Sequence, residues 1–298
     1  MDKNFRHHIR NINMLVNYAT ASAQIKKLEI EQAEGSVYSL RPQIHVILRA
    51  PTGEIKSTIL RLIGNSIGIG VEDEITSPGL VGTITKQMMF VPGAAWQCRN
   101  SLLLLDEFKF RRKSDDWIVF LKLLEDQVYS KKIAMFSASL EEVFDDLYLK
   151  VKDGRIRMKT RFAAVVATMK RFEFYRGDNF QAFMTRCIPY EYAFSIDDLE
   201  YILSGKKFVK VSPPKVKEEI VVKYRKYMKL MKFVKKNLPA NYSGKANFAR
   251  GVGDIVRLHA ITNNINKRDY KNVLLWKVNA FSKIGSYYKR EKNDNAKP

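Results

Sequence analysis

Three short apolar runs constrain this chain most. His45-Val46-Ile47-Leu48, Leu102-Leu103-Leu104-Leu105 and Phe162-Ala163-Ala164-Val165-Val166-Ala167 lack the polar alternation of a half-exposed strand. Such runs suit strands covered on both faces, as in parallel sheets between helical layers. Tyr190 to Phe194 reads as a fourth. Helical patterns lie between them: Thr58–Ile67, and Trp117–Gln127 with Ile118, Leu121 and Leu124 on one face. Strands alternating with helices predict an α/β fold, a parallel sheet with flanking helices. A chain of 298 residues, 46% hydrophobic, can bury a core of that size.

The flanks read differently. Residues 6–34 carry helical periodicity through Ile12, Leu15, Val16, Tyr18, Ile25 and Leu28, ending at Gly35-Ser36. Composition shifts again around Lys206–Pro214. Beyond it, Ile220, Tyr224, Tyr227, Met231, Val234 and Leu238 recur at helical spacing, and Phe248–Ile261 and Val273–Tyr288 are further helices. The predicted division is an N-terminal helical segment (1–44), an α/β base (45–205), a small all-α lobe (206–290) and a flexible tail (291–298).

Charge follows that division. Residues 1–205 are nearly balanced, at net +3, whereas residues 206–298 carry +18 of the chain's +21. A segment that basic repels itself, and a polyanion offsets the repulsion. Interleaved Tyr, Phe and Asn favour nucleic acid over a membrane surface, although a solvated helix face would carry the same charges. No apolar run reaches ~18 residues, so no membrane span is predicted. Cys98 and Cys187 lack CxxC spacing, which argues against a disulfide framework or cysteine zinc site and for a reducing compartment. His7, His8, His45 and His259 show no metal-ligand spacing; His7-His8 reads as exposed and His259 as packed.

After the first apolar run comes Ala50-Pro51-Thr52-Gly53-Glu54-Ile55-Lys56-Ser57-Thr58, then a helix. Strand, loop, Lys-Ser and helix is the layout of a phosphate-binding loop. Backbone N–H groups and a helix N-terminus face the phosphates, a lysine adds charge, and a hydroxyl serves Mg²⁺. Thr52 to Thr58 would bind nucleotide, with Lys56 on the phosphates and Ser57 on the metal. Ala50 and Ile55 replace the motif's two other glycines; a β-branched residue at the second resists unusual backbone angles and crowds the phosphates. Fifty residues after Lys56, the second apolar run ends in Asp106-Glu107. Carboxylates at the C-terminal end of such a strand sit where open α/β sheets bind ligands. Asp106 would hold Mg²⁺ and Glu107 would orient the attacking water. An acidic helix cap would look the same at this point.

An ordered set of further segments resembles the AAA+ module of the minichromosome maintenance (MCM) replicative helicases. Thr76-Ser77-Pro78-Gly79-Leu80-Val81-Gly82-Thr83, Asp106-Glu107-Phe108-Lys109, Leu124-Glu125-Asp126-Gln127-Val128-Tyr129-Ser130, Phe183-Met184-Thr185-Arg186, and Ala249-Arg250 with Ile255-Val256-Arg257-Leu258-His259-Ala260 carry the likeness. It covers residues 45–262 in order. The resemblance implies ATP and Mg²⁺ as cofactors, Thr168 as sensor 1 where the family has Asn, Arg186 as arginine finger and Arg250 as sensor 2. Both arginines would reach a neighbour's ATP, implying a homo-oligomer, a hexameric ring, that acts on single- or double-stranded DNA beside other replication proteins. It also implies a cytoplasmic location, nucleoid or host-cell interior, or a nuclear one in a eukaryote. The family's preceding OB-fold and zinc-binding domain has no counterpart in the ~45 residues before the loop. The family's short hairpin before sensor 1 is replaced by a longer insertion, Phe136–Thr160.

That insertion contains Lys150-Val151-Lys152-Asp153-Gly154-Arg155-Ile156-Arg157-Met158-Lys159. Asp-Gly between alternating arms predicts a hairpin. Lys150, Lys152, Arg155, Arg157 and Lys159 occupy alternate positions and would share a DNA-gripping face; an edge hairpin kept soluble by lysines is the alternative. Lys229 and Lys232, off the apolar stripe of the first helix in the basic lobe, are further candidate DNA contacts. Two other functions fit the same residues: a nucleotide-silent DNA-binding scaffold, or a loader using ATP as an assembly switch.

Overall fold

The computed structural model describes residues 3–53, 55–73, 76–84, 90–106, 115–125, 128–132, 142–145, 149–152, 155–169, 171–172, 178–204, 208–239, 245–262 and 267–294. Helix α1 (Lys3–Gln24) leads into strands β1 (Lys27–Glu31) and β2 (Val37–Leu40). Then come β3 (His45–Arg49), α2 (Lys56–Ile67) and β4 (Val71–Glu72). A small excursion follows: α3 (Ser77–Val81), β5 (Gly82–Ile84), β6 (Phe90–Pro92) and α4 (Ala94–Gln97). The chain continues through β7 (Ser101–Leu105) and α5 (Asp115–Glu125) into β8 (Val128–Lys132), β9 (Glu142–Asp145), β10 (Leu149–Lys152) and β11 (Arg155–Lys159). Next are β12 (Phe162–Thr168), α6 (Asp178–Arg186), β13 (Cys187–Glu191) and α7 (Ile196–Leu203). Last come β14 (Glu219–Val222), α8 (Tyr224–Asn237), α9 (Lys245–Thr262) and α10 (Lys267–Asp294).

The central sheet is five-stranded, ordered β13-β3-β12-β7-β4, with every pairing parallel. This is the predicted α/β class, and the apolar runs do what their composition requires. Val46, Leu48, Leu102, Leu104, Val165 and Ala167 face one core with α1 and α2; Ile47, Leu103, Leu105, Ala164 and Val166 face another with α5 and α6. Alternate residues of each strand thus enter opposite layers. The fourth strand is Cys187–Glu191, starting three residues earlier than predicted; the Tyr192 N–H still donates to Arg49 O at 3.0 Å, and Tyr192 and Phe194 continue the core packing.

Four readings need correction. Helix does not extend to residue 34: Lys27–Glu31 alternates exposed and buried and forms a strand, with Leu28 and Ile30 inward. The basic lobe is not wholly helical, since β14 pairs in parallel with β1 in a second sheet, β14-β1-β2. On α5, Ile118 is 50% exposed, and Trp117, Phe120 and Leu124 form the buried face instead. On α8, Val234 is buried and Tyr227, Met231 and Leu238 pack against the core as predicted, together with Leu230; Tyr224 is exposed, and Ile220 belongs to β14. Helix α10 also runs to Asp294, four residues into the tail expected to be irregular.

Helix α1 lies across β3, β7 and β12 and buries Ile12, Leu15, Val16 and Ala19. One continuous core joins it to the sheet and to α8, α9 and α10. The N-terminal segment and basic lobe therefore share a core with the α/β base.

Candidate functional site

The phosphate-loop candidate lies where predicted, at the C-terminal ends of β3, β12 and β7. The Ala50 N–H donates to the Thr168 carbonyl at 3.2 Å, fixing the start of the loop to the end of the neighbouring strand. Gly53 has φ 86° and Ile55 has φ 45°, ψ 34°; both are left-handed. The glycine motif is replaced in sequence at residue 55, yet the backbone keeps the conformation glycine favours. A β-branched residue holds that conformation only at a cost of about 1–2 kcal/mol. Packing of Ile55 against the core around α2 offsets part of it.

Lys56 opens α2 and is buried; its ammonium donates to the Pro51 carbonyl at 2.7 Å, closing back over the loop. Ser57 and Thr58 follow in the first helical turn. The N–H groups of this turn and the Lys56 charge face the same end of the helix, an arrangement that holds phosphate.

Asp106 follows β7, buried at 6% exposure, and its N–H donates to Glu72 O at 2.9 Å. Its Oδ1 is buried with no hydrogen-bond partner among the described residues. An orphaned carboxylate oxygen is costly, and a cation satisfies it. With the Ser57 hydroxyl on the same sheet edge, these groups fit a Mg²⁺ ion that keeps several waters. Strand β12 separates β3 from β7, so their ends lie roughly 9–10 Å apart. Thr168, buried at the end of β12, sits between loop and carboxylate in the strand order. Glu54 and Glu107 lie outside the described residues.

Arg186 and Arg250 are elsewhere. Arg186 ends α6 immediately before β13, and parallel pairing sets Cys187 opposite His45, at the strand starts. Five residues of strand, about 16 Å, separate that edge from the phosphate loop. The two arginines nevertheless meet. A cleft of about 780 Å³ is lined by Arg186 and Arg250 together with Arg41, Arg257, Glu125 and Asp254.

This cleft is rich in cations held by short, specific contacts. Arg257 Nε donates to Arg41 O at 2.7 Å, and its Nη1 pairs with Asp254 at 3.0 Å. Arg41 donates to the Leu124 carbonyl, and Arg186 to Glu125 and to the Ala182 carbonyl. The Nε atoms of Arg41 and Arg186 are buried with no hydrogen-bond partner among the described residues. Burial and the neighbouring Arg257 push the Arg41 pKa down to about 9, and burial also lowers that of Arg257 despite Asp254. Lys277, buried behind the lining, also pairs with Asp254. Among the described residues, two carboxylates line the cleft against four arginines, so it favours an anion. Sequence reading missed Arg41, Lys277 and the role of Asp254. The i,i+3 spacing of Asp254 and Arg257 was the one available sign; Arg41 sits in no motif.

The remaining candidates are on surfaces. Strands β10 and β11 pair antiparallel as predicted, with Lys150 opposite Arg157 and Lys152 opposite Arg155; the Asp153-Gly154 turn lies outside the described residues. They belong to a four-stranded sheet, β8-β11-β10-β9, so the insertion is larger than one hairpin. Arg155, Arg157 and Lys159 are exposed, as are Lys229 and Lys232 on α8. His8 is not free in solvent as predicted. Its Nδ1 hydrogen-bonds the Tyr190 hydroxyl at 2.6 Å, because α1 brings it against Tyr190, Tyr192 and Phe194. Among the described residues, no helix is long and apolar enough to cross a membrane.

No protein-family model and no curated protein matches the sequence. Among solved structures, the chain is similar to a "putative ATPase" from Cytophaga hutchinsonii at 11% identity and a TM-score of 0.42, over 91% of this chain and 85% of that one. It is similar also to NtrX from Brucella abortus at 14% identity and a TM-score of 0.28, over 78% of this chain and 44% of that one. At these scores neither neighbour adds to what strand order and loop geometry establish.

Proposed function

We propose that the chain is an MCM-like AAA+ ATPase that works on DNA as a ring-shaped homo-oligomer, a helicase or translocase. The observation that carries this reading is the separation of its cations. Lys56, Asp106 and Thr168 gather at one edge of the sheet, while Arg186 and Arg250 share a cleft at the other. A single subunit cannot bring both sets to one phosphate chain across about 16 Å of strand. A neighbour in a head-to-tail ring can, and such heterologous contacts close into rings.

In this reading Lys56 and the α2 N-terminus bind the β- and γ-phosphates. Mg²⁺, held by Ser57 and Asp106, supplies charge neutralisation on those phosphates. Thr168 contacts the γ-phosphate, Glu107 orients the attacking water, and the neighbour's Arg186 and Arg250 stabilise charge in the transition state. The basic face of β10–β11 and the cations of α8, with Lys229 and Lys232, grip DNA phosphates independently of sequence.

One observation favours a second reading, a nucleotide-silent DNA scaffold. Ile55 stands where the motif has glycine and holds a left-handed backbone at the loop, which strains a β-branched residue. DNA-stimulated ATP hydrolysis separates the two. Turnover that Lys56→Ala abolishes supports the motor, and equal background rates in wild type and variant support the scaffold.

A further inference from the structure

We propose that a second cavity, at the base of β11, is a fixed binding pocket for the phosphate backbone of single-stranded DNA. It rests on the DNA-binding reading above and extends it from exposed strand cations to a built site. The cavity, about 430 Å³, lies at the strand-start edge and is lined by Lys26, Arg99, Lys159 and Arg161, with Asn100 and Glu218. Four distant segments bring these cations together: the α1–β1 junction, the turn before β7, the β11–β12 junction and the stretch before β14. Among the described residues one carboxylate lines it, Glu218, and it pairs with Lys26 at 2.5 Å. A wall of this composition draws anions, and a phosphodiester matches its guanidinium groups.

The wall is organised in advance. Asn100 takes a left-handed backbone at φ 59°, and its N–H donates to Arg161 O at 2.5 Å. Its Oδ1 accepts from both Nε (3.1 Å) and Nη2 (2.7 Å) of the buried Arg161, which fixes the guanidinium plane. Arg99 lies 4.4 Å over the Trp96 ring rather than against an acid, so it is held in place with its charge intact. Pre-organised guanidinium groups lose little entropy on meeting phosphate.

The pocket continues a path. Arg155, Arg157 and Lys159 alternate on the exposed face of β11, while Met158 between them is buried. Alternate strand residues stand about 6.6–6.8 Å apart, close to the spacing of successive phosphates on an extended single strand. The row ends at Lys159, which is itself part of the cavity wall. A single strand following the row is delivered into the pocket.

The test is fluorescence anisotropy of a labelled (dT)20 over a salt series, with the full chain as wild type, Arg99→Ala, Arg99→Glu and the hairpin variant Arg155→Ala/Arg157→Ala. Arg99→Ala should weaken binding about fivefold and lower the log–log salt slope by about 0.7, the value for one lost single-strand phosphate contact. Arg99→Glu should weaken it further. If the hairpin variant weakens binding while both Arg99 variants match wild type, the pocket is not on the path and the DNA reading stands without it. If wild type shows no salt-dependent binding, the DNA reading itself fails. A parallel ATP titration covers the remaining source of phosphate. Loss of ATP binding in Arg99→Ala with (dT)20 binding unchanged would make the cavity a mononucleotide site and overturn the proposal.

Discussion

Lys277 on α10 is buried against Asp254 on α9, and the same ammonium donates to the Thr185 carbonyl of α6 at 3.1 Å. Asp254 also holds Arg257, so one carboxylate neutralises two buried cations and ties the C-terminal helices to the base of the arginine cleft. Asp254→Ala should cost about 3–5 kcal/mol, because it leaves both cations buried and unpaired. Urea denaturation measures it. Asp254→Leu combined with Lys277→Met should recover about half of the loss, since the apolar pair removes the unpaired ammonium but leaves Arg257 without its carboxylate.

Ile55→Gly should tighten ATP binding about fivefold, equivalent to about 1 kcal/mol. Glycine adopts the φ 45° backbone freely and lets the loop settle around phosphate without that strain. Stability should change little, because relieved strain is offset by lost packing and greater unfolded-state entropy. Titration of a fluorescent ATP analogue against both proteins checks this. Equal affinities would mean that residue 55 does not limit nucleotide access.

Stability should fall as pH drops below 6.5. His45 accepts from the Ala164 N–H at Nδ1 (3.0 Å), and its Nε2 meets Leu124 O at 3.1 Å, a pattern only the neutral ring satisfies. Burial, with Arg41 as the next cause, holds its pKa well below 6.5; burial lowers that of His8 and takes that of His259 to about 4. Below 6.5 the unfolded chain takes up protons that the fold refuses, so stability is full above 6.5 and declines from there toward 4. Melting temperatures should be level from pH 8 to 7 and decline between 6.5 and 5. His259→Asn should reduce that decline.

Glu125→Ala should leave stability within about 0.5 kcal/mol of wild type, because the Glu125 side chain is 59% exposed and its pairing with Arg186 is screened. Freed of its carboxylate, the Arg186 cleft should bind tripolyphosphate more tightly, by about threefold, as calorimetry on a Lys56→Ala background would show.

The sheet was legible because its strands are buried on both faces. Leu102–Leu105 has no other economical use, and Asp106 at its end marks the ligand edge. Lys56 and Ser57 were legible because phosphate chemistry needs those groups in that order. What sequence could not reveal depends on distant pairings. Lys27–Glu31 has a strand's alternation but lies within a helical period, and it becomes a strand by pairing with β2 on one side and with β14, some 190 residues later, on the other. Arg41 and Lys277 carry no local pattern, yet the fold brings them to Arg186 and Arg250. Arg99 and Arg161 likewise become one wall only when the starts of β7 and β12 stand side by side.

The central claim is that the phosphate loop of one subunit and the arginine cleft of another form one site. Mixing Lys56→Ala with Arg186→Ala tests it most directly. Each variant alone should hydrolyse ATP at background. In an equal mixture, roughly a quarter of head-to-tail interfaces join an intact loop to an intact arginine, and activity should return to about that fraction of wild type. Background activity in the mixture, with each variant still assembling with wild-type subunits, would contradict the shared site.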